Sequence, residues 1–218
     1  MERNVIAVVD YHKGNLKSVE RGLIGVGANA RITDDVREIE RAEAIVLPGV
    51  GAFADAMGAL EELGHARVLR ERIGAGVPFL GICLGLHLLY EAGEEHAEGE
   101  PTPGLGLIPG TVGALPKADM RGNPFKIPHV GWNSVDFLSM RPNPLFKGIN
   151  DHEFFYFTHS FVAPPSCETI ATTTHSITFP SVVQVGATCY AVQFHPEKSS
   201  DAGARLLANF VELAGEHA

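Results

Sequence analysis

The chain has 218 residues, 45% of them hydrophobic, which suits one domain over residues 1–218 with a sizeable core. Its 17 basic and 26 acidic side chains give a net charge of −9, which disfavours a nucleic-acid surface or a polybasic membrane patch and favours small-molecule substrates. The sequence contains no run of about 18 apolar residues, so no membrane-spanning helix is predicted.

Short apolar runs alternate with helical patterns through the first half of the chain. Residues 5–9, 44–47 and 77–82 predict buried strands, because each is a nearly continuous apolar run. Apolar residues on a helical period predict helices at 15–26 and 53–63. This alternation is typical of parallel strands joined by helices.

Beyond Gly93 the pattern changes to short β-rich runs separated by turns that contain proline and glycine. These runs are at 153–157, 168–174, 181–185 and 187–194. A last amphipathic helix is expected to follow, capped by Ser199 or Ser200 and stopped by Gly215. The predicted fold class is α/β, with a mostly parallel central sheet flanked by helices and antiparallel strands added in the C-terminal half.

Cys83 lies in the segment Gly81-Ile82-Cys83-Leu84-Gly85, after a predicted strand and before a helix-like stretch at 84–91. Such a turn projects the side chain, the glycines permit a strained backbone, and a helix N-terminus favours a thiolate. A lone cysteine is usually a buried core residue, but this frame favours an activated nucleophile. Cys167 and Cys189 lack the frame and are expected to be structural thiols.

The three cysteines show no C-x-x-C or Cys/His ligand spacing, so neither a metal site nor a cofactor is predicted. Unpaired cysteines, one of them reactive, suit a reducing compartment. We therefore expect a cytoplasmic protein.

His195 and Glu197 follow a predicted strand that ends at Phe194. Residues two apart in an extended segment face the same side, so both side chains can reach one cleft. Together with Cys83 they supply a nucleophile, a base and a carboxylate that orients the base. This set of side chains indicates acyl transfer.

The segment Leu47-Pro48-Gly49-Val50-Gly51-Ala52 also lies between a predicted strand and a predicted helix. Neither G-x-G-x-x-G nor a Walker pattern is present, which disfavours phosphate binding. A tight turn without function and a turn that binds an oxyanion both stay open. The second is favoured beside Cys83, since acyl transfer needs donors such as the backbone N–H of Leu84 and one from this loop.

These three motifs, in this order, resemble those of the class I (triad) glutamine amidotransferases, which hydrolyse glutamine and deliver ammonia to a partner. Further segments are similar to one branch of that family, the glutaminase subunits of imidazole glycerol phosphate synthases. These segments are 10–11, 14–19, 128–133, 156–161 and 198–200. The resemblance extends over essentially the whole chain.

The resemblance implies that Cys83 attacks the side-chain carbonyl of L-glutamine and forms a glutamyl thioester. It implies that His195 moves the protons and that Glu197 orients His195 and stabilises its cation.

By the same resemblance, Val50 and Leu84 are the backbone oxyanion donors. Gly49 and Gly51 shape the loop, which shifts to a productive arrangement when the partner binds its own substrate.

The resemblance further implies a separate cyclase subunit with a (β/α)8 barrel, through which ammonia travels to make imidazole glycerol phosphate and aminoimidazole-carboxamide ribonucleotide. Asn15, Trp132, Tyr156 and Lys198 lie in segments that are expected to face it. For two of these residues a role outside the interface stays open, since Trp132 also suits a core position and Lys198 also suits a solvated surface.

His87 departs from the family pattern, which usually has glutamine four residues after the nucleophile. Its ring either replaces the amide contact with substrate or packs aside, and we expect weaker or more pH-dependent glutamine binding. Glu95, His159 and Ser160 match substrate-pocket segments, although Glu95 also lies in a charged run that suits solvent.

Two other functions stay open. One is the glutaminase of another triad amidotransferase, such as that of anthranilate or GMP synthesis. The other is a binding subunit that keeps the fold without catalysis, which the triad residues disfavour.

Overall fold

The computed structural model describes residues 5–12, 14–139 and 142–216. The N-terminal half alternates strands with helices. Its elements are β1 (Val5–Val9), α1 (Leu16–Gly25), β2 (Asn29–Thr33), α2 (Val36–Arg41), β3 (Ala44–Gly49), α3 (Phe53–Glu62), α4 (His65–Gly74), β4 (Phe79–Cys83) and α5 (Leu84–His87). Strands β1 to β4 pair in parallel, as the apolar runs predict for β1, β3 and β4, whereas β2 was not among the predicted strands.

The C-terminal half consists mainly of strands. Its elements are β5 (Tyr90–Gly93), β6 (Thr102–Pro103), β7 (Ile108–Ala114), β8 (His129–Phe137), β9 (Glu153–His159), β10 (Phe161–Val162), β11 (Thr169–Thr174), β12 (Thr178–Val185), β13 (Cys189–Val192) and α6 (Ser200–Glu216). Two 3₁₀ turns lie at Pro144–Phe146 and Pro196–Lys198. The pairings of β8, β9, β11 and β12 are antiparallel, which confirms the predicted fold class.

Within the described residues, nine strands form one sheet in the order β2-β1-β3-β4-β13-β12-β11-β8-β9. Strands β10, β7, β5 and β6 form a second, smaller sheet. Strand β13 returns from the far end of the sequence to pair in parallel with β4, so that Val192 lies opposite Ile82. The carboxyl ends of β4 and β13 therefore meet at one edge of the sheet, where ligand sites of α/β proteins form.

The two faces of the large sheet carry separate apolar clusters. Ala7 and Val9 of β1 pack in the cluster that includes α3 and α4, whereas Ile6 and Val8 pack in the cluster that includes α1 and α6. Alternate residues of a strand point to opposite faces, so one strand contributes to both clusters. Among the described residues, no helix is long and apolar enough to cross a membrane.

The helix predicted at 84–91 is wrong beyond its first turn. Helix α5 ends at His87, and Tyr90–Gly93 forms β5, which pairs with β7. A Cβ at Gly93 would lie within 2.7 Å of several atoms of the Phe53 ring, so the chain passes closely over α3 there. Tertiary packing thus overrides an apolar pattern that suits either a helix or a strand.

The start of α6 also differs from the expected cap. Ser199 precedes the helix, but its hydroxyl donates to the carbonyl of His195 at 2.7 Å and accepts from the N–H of Tyr156 at 3.0 Å. The helix continues through Gly215 to Glu216, one residue beyond the predicted stop.

Candidate active site

Cys83 ends β4 in a backbone conformation with φ of 55° and ψ of −105°. A positive φ is uncommon for a residue with a Cβ and marks a strained turn. The glycines on either side are required by close backbone packing, because a Cβ at Gly81 would lie 2.7 Å from the carbonyl oxygen of Gly85. Since α5 has only four residues, its dipole supports a thiolate less than the longer predicted helix would.

His195 follows β13 and is almost completely buried. Its Nδ1 lies 2.9 Å from Oε1 of Glu197, whose side chain is 1% exposed. By accepting a hydrogen bond from the Nδ1–H group, the carboxylate fixes the tautomer and leaves Nε2 as the reactive nitrogen. Nε2 is buried and, in this geometry, hydrogen-bonds to none of the described residues.

The charge state of His195 is set by two neighbours. Burial disfavours the imidazolium, but the adjacent Cys83 and Glu197 side chains outweigh it and raise the pKa of His195 to about 9. His195 is therefore a stronger base than a free imidazole, able to take a proton from a neighbouring group and to deliver it later.

A cavity of about 400 Å³ opens beside the Cys83 sulfur. Its lining combines the β3–α3 loop, α5 and the end of β9, and includes Val50, Gly51, Cys83, Leu84, His87, Glu95, His159 and Ser160. The structure thus brings together eight residues that the sequence predicted for the site. A larger cavity of about 670 Å³, between the end of β8 and α6, contains none of the triad side chains.

The glycine loop after β3 lies directly beside the nucleophile, because Gly49 and Cys83 are partners in the parallel β3–β4 register. A Cβ at Gly49 would collide with the hydroxyl of Tyr11 and lie 2.9 Å from Cβ of Leu84. Gly51 has a φ of 102°, a conformation that residues with side chains rarely adopt. Val50, between the two glycines, is 43% exposed.

His87 is buried, and its Nε2 lies 2.6 Å from Oε1 of Gln193. Burial lowers the pKa of His87 to about 4, although the hydrogen bond to Gln193 opposes this shift. Of the two effects predicted for His87, a ring that is neutral between pH 6 and 8.5 favours weaker over more pH-dependent glutamine binding. His87 also lines the cavity, while its contact with Gln193 packs the ring against the residue after β13.

Glu95 and His159 both line the cavity. Glu95 is partly buried and accepts from the N–H of Phe53 at 3.3 Å, and burial raises the pKa of its carboxyl, so it is more than a solvated charge. The Nδ1 of His159 donates to the carbonyl of Phe161 at 2.9 Å, while its Nε2 accepts from Nδ1 of His129 at 2.9 Å. Burial lowers the pKa of His159 to about 3.

Three of the predicted interface residues form one surface cluster. Trp132 of β8 lies opposite Tyr156 of β9, with ring centroids 6.2 Å apart, and Nζ of Lys198 lies 6.0 Å from the Tyr156 ring. Trp132 is 52% exposed, which rules out the core alternative. Asn15 is exposed at the start of α1, a helix that contacts the 3₁₀ turn carrying Lys198.

Two further residues near Cys83 were not among the predicted site residues. The Nε2 of Gln193 donates to the Cys83 sulfur at 3.7 Å. The hydroxyl of Tyr11 is buried against Gly49, and burial, followed by the nearby Cys83 charge, raises the pKa of Tyr11. A signal for Gln193 did exist, since it is a polar residue in an apolar strand directly before the triad histidine.

Among the described residues, no group of three or more His, Cys, Asp or Glu side chains is arranged to hold a metal ion. The thiol of Cys83 lines a cavity of small-molecule size, and the imidazole–carboxylate pair of His195 and Glu197 lies next to this thiol.

The family model for glutamine amidotransferase class-I matches residues 7–213. "Imidazole glycerol phosphate synthase subunit HisH" of Moorella thermoacetica is 46% identical over 210 residues, which are 95% of this chain and 94% of that protein. The protein of the same description from Desulfitobacterium hafniense is 44% identical and covers 98% of this chain and 97% of its own.

Among solved structures, a glutamine amidotransferase aligns with a TM-score of 0.71 at 21% identity, over 96% of this chain and 98% of that one. This likeness shows that the fold is shared. With the family match over nearly the whole chain, the conclusion is that this protein belongs to the class I glutamine amidotransferase family.

Proposed function

We propose that this protein is the glutaminase subunit of an imidazole glycerol phosphate synthase, in histidine biosynthesis. It hydrolyses L-glutamine to glutamate and ammonia and passes the ammonia to a cyclase subunit. The observation that carries the chemistry is that Cys83, at the end of β4 and on the cavity wall, lies next to His195 just beyond β13, whose ring is held by Glu197. The names of the near full-length relatives supply the pathway.

In the first half of the reaction, the thiol proton of Cys83 passes to Nε2 of His195. The sulfur then attacks the side-chain carbonyl carbon of glutamine, and a C–S bond forms. His195 returns the proton to the amide nitrogen as the C–N bond breaks, so that ammonia leaves and a glutamyl thioester remains. Glu197 stabilises the imidazolium during this step through the 2.9 Å contact to Nδ1.

In the second half, a water molecule gives a proton to His195 and its oxygen attacks the thioester carbonyl. A C–O bond forms, the C–S bond breaks, and the proton returns to the sulfur. Glutamate leaves and the enzyme is restored.

Both halves pass through a tetrahedral oxyanion, which needs N–H donors aimed at it. The N–H groups of Val50 and Leu84 are assigned this role, because both residues line the cavity next to Cys83. Gly49 and Gly51 allow the loop to turn the Val50 N–H toward the oxyanion when the partner is loaded.

Substrate recognition is assigned to the cavity residues around the triad. Glu95 is the carboxylate among the described lining residues, so it suits the α-ammonium group of glutamine. His159 and Ser160, at the end of β9, are placed along the rest of the substrate. His87 bounds the cavity on the α5 side.

The cyclase is proposed to dock on the exposed face of β8 and β9. Val130, Trp132 and Phe154 on these two strands are each more than half exposed, and together they form an apolar patch. Exposed aromatic side chains of this kind are common interface anchors. Asn15, Tyr156 and Lys198 are placed at the same interface, and the partner is assigned a (β/α)8 barrel.

The protein is further proposed to be a single glutamine amidotransferase domain in the cytoplasm. Cys83, Cys167 and Cys189 are all free thiols, and a catalytic thiol suits a reducing compartment.

Glutamate release from glutamine tests the proposal in three conditions: the chain alone, the chain with the cyclase, and the complex with the cyclase's nucleotide substrate. We expect little activity until the third condition. Pull-down should retain the cyclase and not the large subunit of anthranilate synthase. Equal activity in all three conditions, or retention of the anthranilate partner, would contradict the assignment.

A further inference from the structure

Gln193 is the first residue after β13 and lies two residues before the triad histidine. Its side chain is fully buried. Its amide bridges two side chains that are far apart in sequence. Oε1 lies 2.6 Å from Nε2 of His87, and Nε2 lies 3.7 Å from the sulfur of Cys83. A buried amide in this position connects the nucleophile to the residue that departs from the family pattern.

The chemistry of the two partners gives these contacts a direction. An amide oxygen can only accept, so the His87 nitrogen facing it must carry the proton. A histidine that is neutral because burial lowers its pKa to about 4 then holds this single proton on Nε2. With its oxygen directed at His87, Gln193 presents its NH₂ group to the sulfur, and this group can only donate.

We propose that Gln193 is a catalytic residue that donates a hydrogen bond to the Cys83 sulfur and stabilises its thiolate, and that His87 is a positioning residue that fixes the direction of this bond. The inference rests on the proposed role of Cys83 as nucleophile. A hydrogen bond to the charged form of a group favours that form.

The other groups that face the sulfur do not provide the same neutral donor. The carbonyl of Thr158 in β9 accepts from the thiol at 3.9 Å, which favours the protonated sulfur. Tyr11, beyond β1, is packed against Gly49, and His159 and Glu95 lie at the cavity wall. The cation beside the sulfur is His195, so Gln193 acts together with it and against Thr158.

The experiment measures alkylation of Cys83 by iodoacetamide, followed on the Cys83 peptide by mass spectrometry, in the full chain and in its complex with the cyclase. Gln193→Met keeps the length of the side chain and removes the donor. We expect its alkylation rate at pH 7 to fall about tenfold and to approach that of the unaltered protein as the pH is raised. The kcat for glutamine hydrolysis should fall while KM changes less than about twofold.

Two further variants test the direction of the bond. Gln193→Glu still accepts from His87 but faces the sulfur with an acceptor, so its alkylation should be slower than that of Gln193→Met. His87→Gln supplies an N–H to Gln193 and should retain the rate within about twofold, whereas His87→Met should lose about threefold.

Asn209→Leu is the matched control, because Asn209 is another buried amide, bonded to the carbonyls of Leu145 and Lys147 away from the site. It should lower Tm without slowing alkylation. An unchanged or faster rate in either Gln193 variant would overturn the inference. Glutamate release that survives Cys83→Ala would instead refute the proposed function, so the two failures are distinguishable.

Discussion

The parallel centre of the sheet and its antiparallel edge present side chains in different ways. In β3, β4 and β13 every residue is buried, because the sheet is covered on both faces. In β8 and β9, buried side chains such as Val135 and Phe155 alternate with exposed ones such as Trp132 and Phe154. Strands covered on both faces can offer chemistry only at their ends, whereas an uncovered face can offer a docking surface along its length.

Tyr156 is one residue that connects the two regions. Tyr156 of β9 accepts from the backbone N–H of His195 at 2.9 Å and donates its own N–H to the Ser199 hydroxyl at 3.0 Å. Its ring lies beside Trp132 on the exposed face. A partner bound to β8 and β9 would therefore contact the strand that holds the triad histidine in place.

The largest effect is expected from removal of the nucleophile at the end of β4. Cys83→Ala should lower glutamate release by the cyclase complex at least about a thousandfold, since no thioester can form. Cys189→Ala, in buried β13, should leave kcat within about threefold and lower Tm instead. A reversed pattern would show that the strand ends do not carry the chemistry.

Aromatic residues on the two faces of β8 and β9 are expected to contribute to different properties, the buried one to stability and the exposed one to partner binding. Phe155→Ala should lower the free energy of unfolding by about 3–5 kcal/mol, because Phe155 is fully buried. Trp132→Ala should leave Tm nearly unchanged but weaken cyclase binding by about 2 kcal/mol, or roughly thirtyfold in Kd.

Denaturant titration and calorimetric binding measure the two effects, with the fully exposed Met120→Ala as control for both. If Trp132→Ala destabilised the fold as much as Phe155→Ala, the exposed face would not be a docking surface.

Buried histidines predict a smaller effect, on acid stability. His159, with a pKa of about 3, and His87, with a pKa of about 4, bind a proton less readily in the folded than in the unfolded state, where the value is near 6.5. Their stabilising contribution is complete above pH 6.5 and is lost as pH falls.

As pH falls from 6.5 to 5.5, the free energy of unfolding should decrease by up to about 1.4 kcal/mol for each buried histidine that stays neutral in the folded state. Urea titrations at several pH values across this range should show that the free energy of unfolding changes less steeply with pH in His159→Gln than in the unaltered protein. Parallel slopes would mean that His159 is not held neutral by burial.

The smallest effect is expected for His87→Gln. Because His87 does not change its charge between pH 6 and 8.5, the substitution should leave the shape of the KM profile for glutamine unchanged across this range. Glutamine saturation measured at half-unit steps tests this. A bend near neutral pH that disappears in the variant would show that His87 titrates there.

Local patterns predicted most of the parallel half, because a strand buried on both faces requires a continuous apolar run. They also predicted that the loop after β3 and the turn at Cys83 need glycine, because both places require backbone conformations or contacts that a Cβ opposes. The patterns failed at Tyr90–Gly93, where a helix was predicted but pairing with β7 and packing over Phe53 stabilise a strand. Such contacts join distant parts of the chain and leave no local periodicity.

The sequence by itself determined which residues can perform acyl transfer, since a cysteine between glycines and a histidine two residues before a glutamate have recognisable spacings. Only the tertiary structure decided that they meet. Pairing of β13 with β4 brings Gln193 to the sulfur of Cys83 across 110 residues of sequence. It also decided that His87 stays neutral, because a pKa depends on burial and neighbouring dipoles that exist only once the chain has folded.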